Sequence, residues 1–253
     1  MKLTTPKTYL IGSTQFLKPQ LEQYLIETEN EEFLDILTGC DQMDICSFYA
    51  KLCYKSLSLG KNRNISRTRD IESNIKGIID SGHGSVLEHS HLNFVCENVS
   101  RIFHTELIRH RHNNYSIESG RYTIQPEMLV WVPNYLRERG EKYINMYIES
   151  QRKIEEIYVE FLNSLTDGLV SFDDKKKATS CARRLKPLGA TETVGFTMNL
   201  RAFREILVRR TSRHAEEEIR LVFNQIAELV FDKIPVLKYN LKIEKVEGLL
   251  EYS

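Results

Sequence analysis

Three arginines lie within thirteen residues of sequence, beside histidine and hydroxyl side chains. The segment contains Arg109-His110-Arg111, then Ser119 and Arg121. Guanidinium groups donate paired hydrogen bonds to phosphates and carboxylates, so this density of arginine predicts an anion-binding site. The alternative is a solvated basic turn that binds nothing. If the chain is extended here, Ser119 and Arg121 point to the same side and face one ligand together.

Two other segments carry groups that suit ligand binding. The segment His83-Gly84-Ser85-Val86-Leu87-Glu88-His89 has two histidines and a carboxylate, but this spacing matches no common zinc pattern. Nucleotide contacts or a purely structural turn are therefore favoured over a metal site there. The third segment runs from Cys181 to Arg220 and is rich in arginine. Within it, Arg210 and His214 share a helix face, and Arg201 has the spacing for a surface ion pair with Glu205.

Composition limits the classes of function. The 253-residue chain has 35 Lys and Arg against 35 Asp and Glu, so it has no overall field that would attract nucleic acid or an acidic membrane. A nucleic-acid-binding protein with a basic patch at 109–121 is the alternative, and the lack of a basic stripe interleaved with aromatic residues disfavours it. Five cysteines without a CxxC pair indicate reduced thiols. With no signal peptide and no membrane-spanning run, we expect a cytoplasmic protein.

The elements that must position these groups follow from apolar periodicity. Helices are predicted over Asp41–Leu57, Ser66–Ser81, Val99–Arg109, Pro133–Leu165, Lys175–Leu185, Arg201–Arg210 and His214–Phe231. Strands are predicted over His91–Val95, Arg121–Ile124, Met128–Val132, Thr191–Met198 and Lys238–Val246. Without a linker or repeat, this mixture predicts one α/β (α+β) domain over residues 1–253, with a central mixed sheet flanked by long helices.

Taken in order, these segments resemble the flavin-dependent thymidylate synthases. The family signature is Arg-His-Arg, seven arbitrary residues and Ser, which Arg109-His110-Arg111 and Ser119 match, followed by Arg121-Tyr122. Ser85-Val86-Leu87-Glu88-His89 is similar to the family's upstream element. The stretch from Ala182 through Pro187-Leu188-Gly189 to Arg201, and then Arg210 to Arg220, is similar to its downstream elements. The resemblance covers about Gly82 to Arg220.

The resemblance implies a ligand for each group of residues. FAD contacts are implied for Ser85, His89, Arg109, His110, Arg111, Asn199, Arg201, Glu205 and His214. Binding of dUMP is implied for Glu106, Ser119, Arg121, Arg183 and Arg210. Arg210 and Ser119 are the implied catalytic pair: Arg210 stabilises charge developing on the base, and Ser119 positions the substrate instead of acting as a nucleophile. No metal is implied.

The implied reaction is reductive methylation of dUMP at C5 to dTMP. NADPH reduces FAD, and methylenetetrahydrofolate donates the methylene group. The resemblance also implies a homotetramer whose sites lie where subunits meet. We expect the protein to bind neither a membrane nor nucleic acid.

Two positions depart from the family pattern. Ile117 stands where many members have Glu, with a carboxylate one position later at Glu118, so any side-chain contact from position 117 to the nucleotide is lost. Glu205 replaces an Asn that usually faces the flavin. These departures leave open the methylation of another pyrimidine nucleotide such as UMP, and a degenerate FAD-binding relative.

Overall fold

Eight strands and nine helices are present in the part of the chain that the computed structural model describes, residues 1–123 and 127–253. The strands are β1 Lys2–Thr4, β2 Lys7–Ser13, β3 His91–Ser100, β4 Asn114–Ile117, β5 Leu129–Trp131, β6 Thr191–Asn199, β7 Ile243–Val246 and β8 Leu249–Tyr252. The helices are α1 Lys18–Glu27, α2 Asp41–Cys53, α3 Ile71–Asp80, α4 Arg101–Leu107, α5 Asn134–Arg139, α6 Glu141–Thr166, α7 Phe172–Ala182, α8 Leu200–Thr211 and α9 Glu217–Lys233. The α/β class predicted from sequence is confirmed.

The central sheet has the strand order β2-β3-β6-β4, and every pair in it is antiparallel. The prediction of a mixed central sheet needs correction, because the parallel pairing lies in a separate ladder of β1 and β5. A third ladder joins β7 and β8. Long excursions separate the paired strands, about ninety residues between β3 and β6. Such excursions can return the chain at either end of the sheet, so sequence order leaves strand direction undetermined.

The hydrophobic core lies against one face of this sheet. Alternate residues of β3 and β6 are buried, and Phe94 stacks on Phe196 with ring centroids 5.3 Å apart. The same cluster includes buried residues of α2, α3, α8 and α9, and it extends from Leu21 to Tyr252. Burying each large apolar side chain contributes about 1.5–3 kcal/mol. The helices that carry the predicted site are therefore packed onto the sheet.

Most predicted helices and strands are present, with shifted ends. The helix predicted from Ser66 begins only after Asp70, whose carboxylate accepts a hydrogen bond from the Ser73 amide and so caps α3. The long helix predicted over Pro133–Leu165 is divided into α5 and α6 at Gly140, whose φ of 97° lies outside the helical region. The strands β1, β2, β4 and β8 and the helix α1 were not predicted.

Two predicted strands are wrong in part. Arg121 and Tyr122 form a turn, while Ile124 lies outside the described residues. The strand predicted over Lys238–Val246 is confirmed only for Ile243–Val246, which pairs with β8 through a turn at Glu247 and Gly248. Both of these turn residues have positive φ, at 53° and 82°, as a tight hairpin requires. Among the helices of the described residues, none is long and apolar enough to cross a bilayer.

Candidate active site

A cavity of about 390 Å³ lies between the turn that follows α4 and the first turns of α8. Six residues predicted to contact FAD line it: Arg109, His110, Arg111, Asn199, Arg201 and Glu205. Glu88, His112 and Arg209 also line it and were not singled out as site residues from sequence. The signal for Glu88 was its place inside the Ser85–His89 segment. We call this space the small cavity.

A tyrosine of β4 holds the turn that carries Arg109, His110 and Arg111. The hydroxyl of Tyr115 lies 2.6 Å from the carbonyl oxygen of His110 and 2.9 Å from that of Leu107. The Nδ2 group of Asn113 donates to the same hydroxyl at 3.1 Å. These contacts fix the path of the backbone between α4 and β4, so the turn presents its cations to the cavity in a defined order.

Asn199 begins the helix that forms the opposite wall. Its Oδ1 accepts the Ala202 amide at 2.8 Å, which satisfies one of the free N–H groups at the start of α8. Its Nδ2 group donates no hydrogen bond to any of the described residues, so two donors face the cavity. The cap thus fixes the start of α8, the helix that carries Arg201, Glu205 and Arg209.

Three arginines of the small cavity have no acidic partner. Among residues 1–123 and 127–253, no carboxylate lies within 4.0 Å of the guanidinium groups of Arg109, Arg111 or Arg209. Their combined charge in one concave surface suits a polyanion such as a diphosphate.

Arg201 is paired, in contrast. Its Nε donates to Glu205 at 3.2 Å, which confirms the predicted ion pair, and its Nη1 donates to Glu88 at 2.6 Å. These hydrogen bonds, first that to Glu88 and then that to Glu205, raise the pKa of Arg201. The Glu205 carboxylate therefore lines the cavity with its charge offset by Arg201.

Arg210 lies in a second group with Glu106 and His110. Its Nη1 donates to the Glu106 carboxylate at 2.5 Å, its Nη2 to the Glu106 carbonyl at 2.8 Å, and its Nε to Nε2 of His110 at 2.7 Å. Burial, followed by the charges of Arg210 and Arg209, lowers the pKa of His110 to about 4. His110 is therefore neutral at pH 7, with its proton on Nδ1, because Nε2 must accept from a guanidinium.

The remaining predicted nucleotide contacts lie together elsewhere. Ser119 starts a turn in which its carbonyl accepts the amides of Tyr122 at 2.9 Å and Thr123 at 3.1 Å. A side chain at Gly120 would have its Cβ 3.8 Å from Cδ of Arg183, so Arg183 borders this turn. Arg121 is exposed there. Within the described residues, no hydrogen bond, ion pair or ring contact joins this group to Glu106 or Arg210.

Three predicted FAD contacts lie outside the small cavity. Ser85 lines a larger cavity of about 940 Å³ on the other side of the turn Gly84–His89. His89 stacks on Tyr49 with ring centroids 3.7 Å apart. His214 is exposed in the connection between α8 and α9. Residues 1–123 and 127–253 contain no cluster of three or more side chains arranged to hold a metal ion.

The departure from the family pattern at positions 117 and 118 has a structural explanation. Ile117 packs against the main hydrophobic core, opposite Val194 of β6. Glu118 faces the other way, and its carboxylate accepts the Thr193 amide at 3.2 Å. The apolar residue at 117 therefore serves packing, and the carboxylate at 118 closes the end of the β4–β6 ladder.

Comparison with known proteins shows the family of the chain. A family profile described as "Thymidylate synthase complementing protein" matches residues 36–236. A flavin-dependent thymidylate synthase from Mycolicibacterium gilvum (strain PYR-GCK) is 35% identical over 219 residues, which cover 85% of this chain and 81% of that protein. The chain belongs to the flavin-dependent thymidylate synthase family.

A second relative and a solved structure are also similar to this chain. A flavin-dependent thymidylate synthase from Mycobacterium bovis (strain BCG / Pasteur 1173P2) is 31% identical over 232 residues, covering 87% of this chain and 84% of that protein. The crystal structure of a UMP/dUMP methylase, PolB from Streptomyces cacaoi bound with 5-Br dUMP, superposes with a TM-score of 0.65 at 19% identity. That superposition covers 94% of this chain and 95% of PolB, so the two share one fold.

Proposed function

We propose that this chain is an FAD-dependent thymidylate synthase that methylates dUMP at C5 to dTMP, with methylenetetrahydrofolate as carbon donor and NADPH as reductant. The observation that carries the proposal is the convergence in the small cavity of Arg109, Arg111 and Arg209, none of which has an acidic partner among the described residues. Unpaired cations in a concave site favour a diphosphate ligand. FAD is the diphosphate cofactor that family membership supports.

FAD, when bound, supplies the hydride that completes the methyl group. The chain supplies binding and orientation. Arg109 and Arg111 would hold phosphate oxygens, and the Nδ2 group of Asn199 would donate to the cofactor. Glu88 and Glu205 keep Arg201 in place at the wall. His110, neutral at pH 7, adds no charge to the cavity and keeps Arg210 oriented.

For the nucleotide, we propose a site completed by a second subunit. Glu106 and Arg210 form one half, and Ser119, Arg121 and Arg183 form the other. Each half contains at least one guanidinium, and no described contact joins them in one chain. A homotetramer in which neighbouring subunits bring unlike halves together would provide one cation for the phosphate and another for charge developing on the uracil. A cytoplasmic location stays a prediction.

UMP is the second candidate substrate. The PolB structures are bound with 5-Br dUMP in one case and 5-Br UMP in the other, and they have the fold of this chain. A site that hydrogen-bonds a ribose hydroxyl discriminates strongly between the two nucleotides, so a direct comparison decides the substrate.

The test is release of tritium from C5-labelled dUMP, with labelled UMP beside it, in the presence of NADPH and methylenetetrahydrofolate. We expect yellow purified protein, and release from dUMP that requires both co-substrates. Release from UMP alone would reassign the substrate. Bound flavin without release from either nucleotide would indicate a degenerate relative, and colourless protein that cannot be reconstituted with FAD would contradict the proposal.

A further inference from the structure

A second cavity lies next to the small cavity, and apart from Ser85 its lining residues have no role in the sites above. It has a volume of about 940 Å³, near the upper end of the roughly 300–1,000 Å³ range of ligand pockets. Its walls are the C-terminal half of α2, the segment 64–69, one face of α3 and the turn that contains His83 and Ser85. We call it the large cavity.

The large cavity has an excess of positive charge. Lys51, Arg67 and Arg69 line it. Among the described residues, Asp80 is the only carboxylate in the lining, and it accepts a hydrogen bond from the Tyr239 hydroxyl at 3.0 Å. Within the described ranges, no carboxylate comes within 4.0 Å of any of those three cations. Three cations in one concavity without an acidic partner are an arrangement that an anionic ligand would stabilise.

Lys51 is a buried cation that connects two walls of the large cavity. The residue is only 2% exposed, and its ammonium group donates to the carbonyl oxygen of Arg69 at 2.5 Å. That hydrogen bond ties the segment 64–69 to α2 and uses one of the three ammonium donors. Burying a charged lysine with so few partners is costly unless a further acceptor is supplied.

The cavity also adjoins the proposed flavin site. Ser85, one of the residues predicted to contact FAD, lines the large cavity, while Glu88 of the same turn lines the small one. A Cβ on Gly84 would be 3.3 Å from Cδ of Arg201, so the wall between the two cavities is one turn thick. A ligand in the large cavity would therefore reach the cofactor near Ser85.

We propose that the large cavity binds the anionic part of a second substrate of the flavin, with Arg67 and Arg69 contacting its phosphate or carboxylate groups. The proposal rests on the proposed function, which supplies two candidates of this chemistry. NADPH carries phosphates, and methylenetetrahydrofolate carries the carboxylates of its glutamate tail. The cations bind either chemistry, and separate assays of the two half-reactions distinguish the sources.

The test compares the double variant R67A/R69A with R63A. Arg63 lies in the same loop, is exposed and does not line the cavity, so it controls for loss of loop charge. The KM for NADPH is measured from flavin bleaching without folate, and the KM for methylenetetrahydrofolate from tritium release at saturating NADPH. We expect one of these KM values to rise by roughly tenfold or more in R67A/R69A, and neither to change by more than about twofold in R63A.

A second variant reaches the same site without removing an arginine. A Cβ at residue 77 would be 2.4 Å from Nη1 of Arg69, so Gly77→Ala must displace that guanidinium. Alanine is favoured over glycine inside a helix by about 1 kcal/mol, so α3 should not be weakened. We expect G77A to raise the same KM as R67A/R69A while thermal stability is kept.

A rise in the KM for NADPH assigns the cavity to the dinucleotide, and a rise in the KM for methylenetetrahydrofolate assigns it to the carboxylate tail. If both KM values in R67A/R69A match those of R63A, the inference is overturned. It is also overturned if R67A/R69A purifies without flavin, since the cations would then serve FAD itself. Failure of the proposed function is distinguishable, because the unmodified chain would then release no tritium from either nucleotide.

Discussion

Arg210→Lys tests the proposed role of the group formed by Arg210, Glu106 and His110, because it keeps the positive charge and removes the planar set of donors. The Arg210 side chain is 14% exposed, and its guanidinium makes three hydrogen bonds, two to Glu106 and one to His110. An ammonium on a shorter stem can replace one of these three bonds at a time. Two net hydrogen bonds of about 0.5–1.5 kcal/mol each are lost, or about 1–3 kcal/mol together.

If that orientation is required in the transition state, the loss lowers kcat/KM for dUMP by roughly 5- to 150-fold. The assay is tritium release at saturating co-substrates, with flavin content measured by absorbance on the same sample. We expect flavin to be retained, because the unpaired arginines of the small cavity are unchanged.

Arg213→Lys is the matched control. Arg213 follows three residues later, is about half exposed and pairs with Glu244 and Glu251, outside both cavities. Its substitution should change kcat/KM by less than about twofold. Equal activity of R210K and R213K would refute the need for the three-bond arrangement. Loss of flavin from R210K with nucleotide binding intact would refute the assignment of Arg210 to the nucleotide.

Three other predictions concern stability. Burial raises the pKa of Glu218 from 4.5 to about 7, so the contribution of this residue to the free energy of unfolding is fully present below pH 4.5 and is lost as pH rises through 7. Glu218→Gln should therefore remove about 3 kcal/mol of the pH dependence of the free energy of unfolding in this window, measured by chemical denaturation. Gly189→Ala should cost about 1–3 kcal/mol, because its Cβ would be 2.8 Å from the Tyr147 hydroxyl, and thermal unfolding measures this. Ile117→Glu should cost about 2 kcal/mol by placing a carboxylate against the core, also by thermal unfolding.

Each stability prediction has a control at fixed protein concentration, since association shifts apparent stability. An unchanged pH slope in E218Q would show that Glu218 does not titrate in this window. Gly195→Ala should be nearly neutral, because its nearest Cβ contact is 3.7 Å, and a loss equal to that of G189A would contradict the clash. Ser116→Glu, on the exposed side of β4, should be tolerated, and equal losses at 116 and 117 would contradict the assigned faces.

Local patterns predicted most of the elements that carry the site. The helices α2, α8 and α9 and the strands β3 and β6 follow from apolar spacing, because each buries one regular face against the core. The errors lie where a single residue overrides the pattern. Gly140 divides a continuous apolar stripe, and Asp70 captures the start of α3 by accepting a backbone amide. Short edge strands such as β1 and β4 have too few residues to show a period.

The order and types of residues in this chain determined its family. They also predict the members of its site, because the chemistry and spacing of Arg109-His110-Arg111, Ser119 and the downstream arginines are present in the sequence itself. The tertiary structure decided which of these cations already have partners. Arg201 and Arg210 are held by carboxylates, while Arg109, Arg111 and Arg209 have no acidic partner in the part of the chain that the structure describes. Pairing depends on distances between residues about a hundred positions apart, such as Glu106 and Arg210, and only packing of α4 against the helices of the core sets those distances.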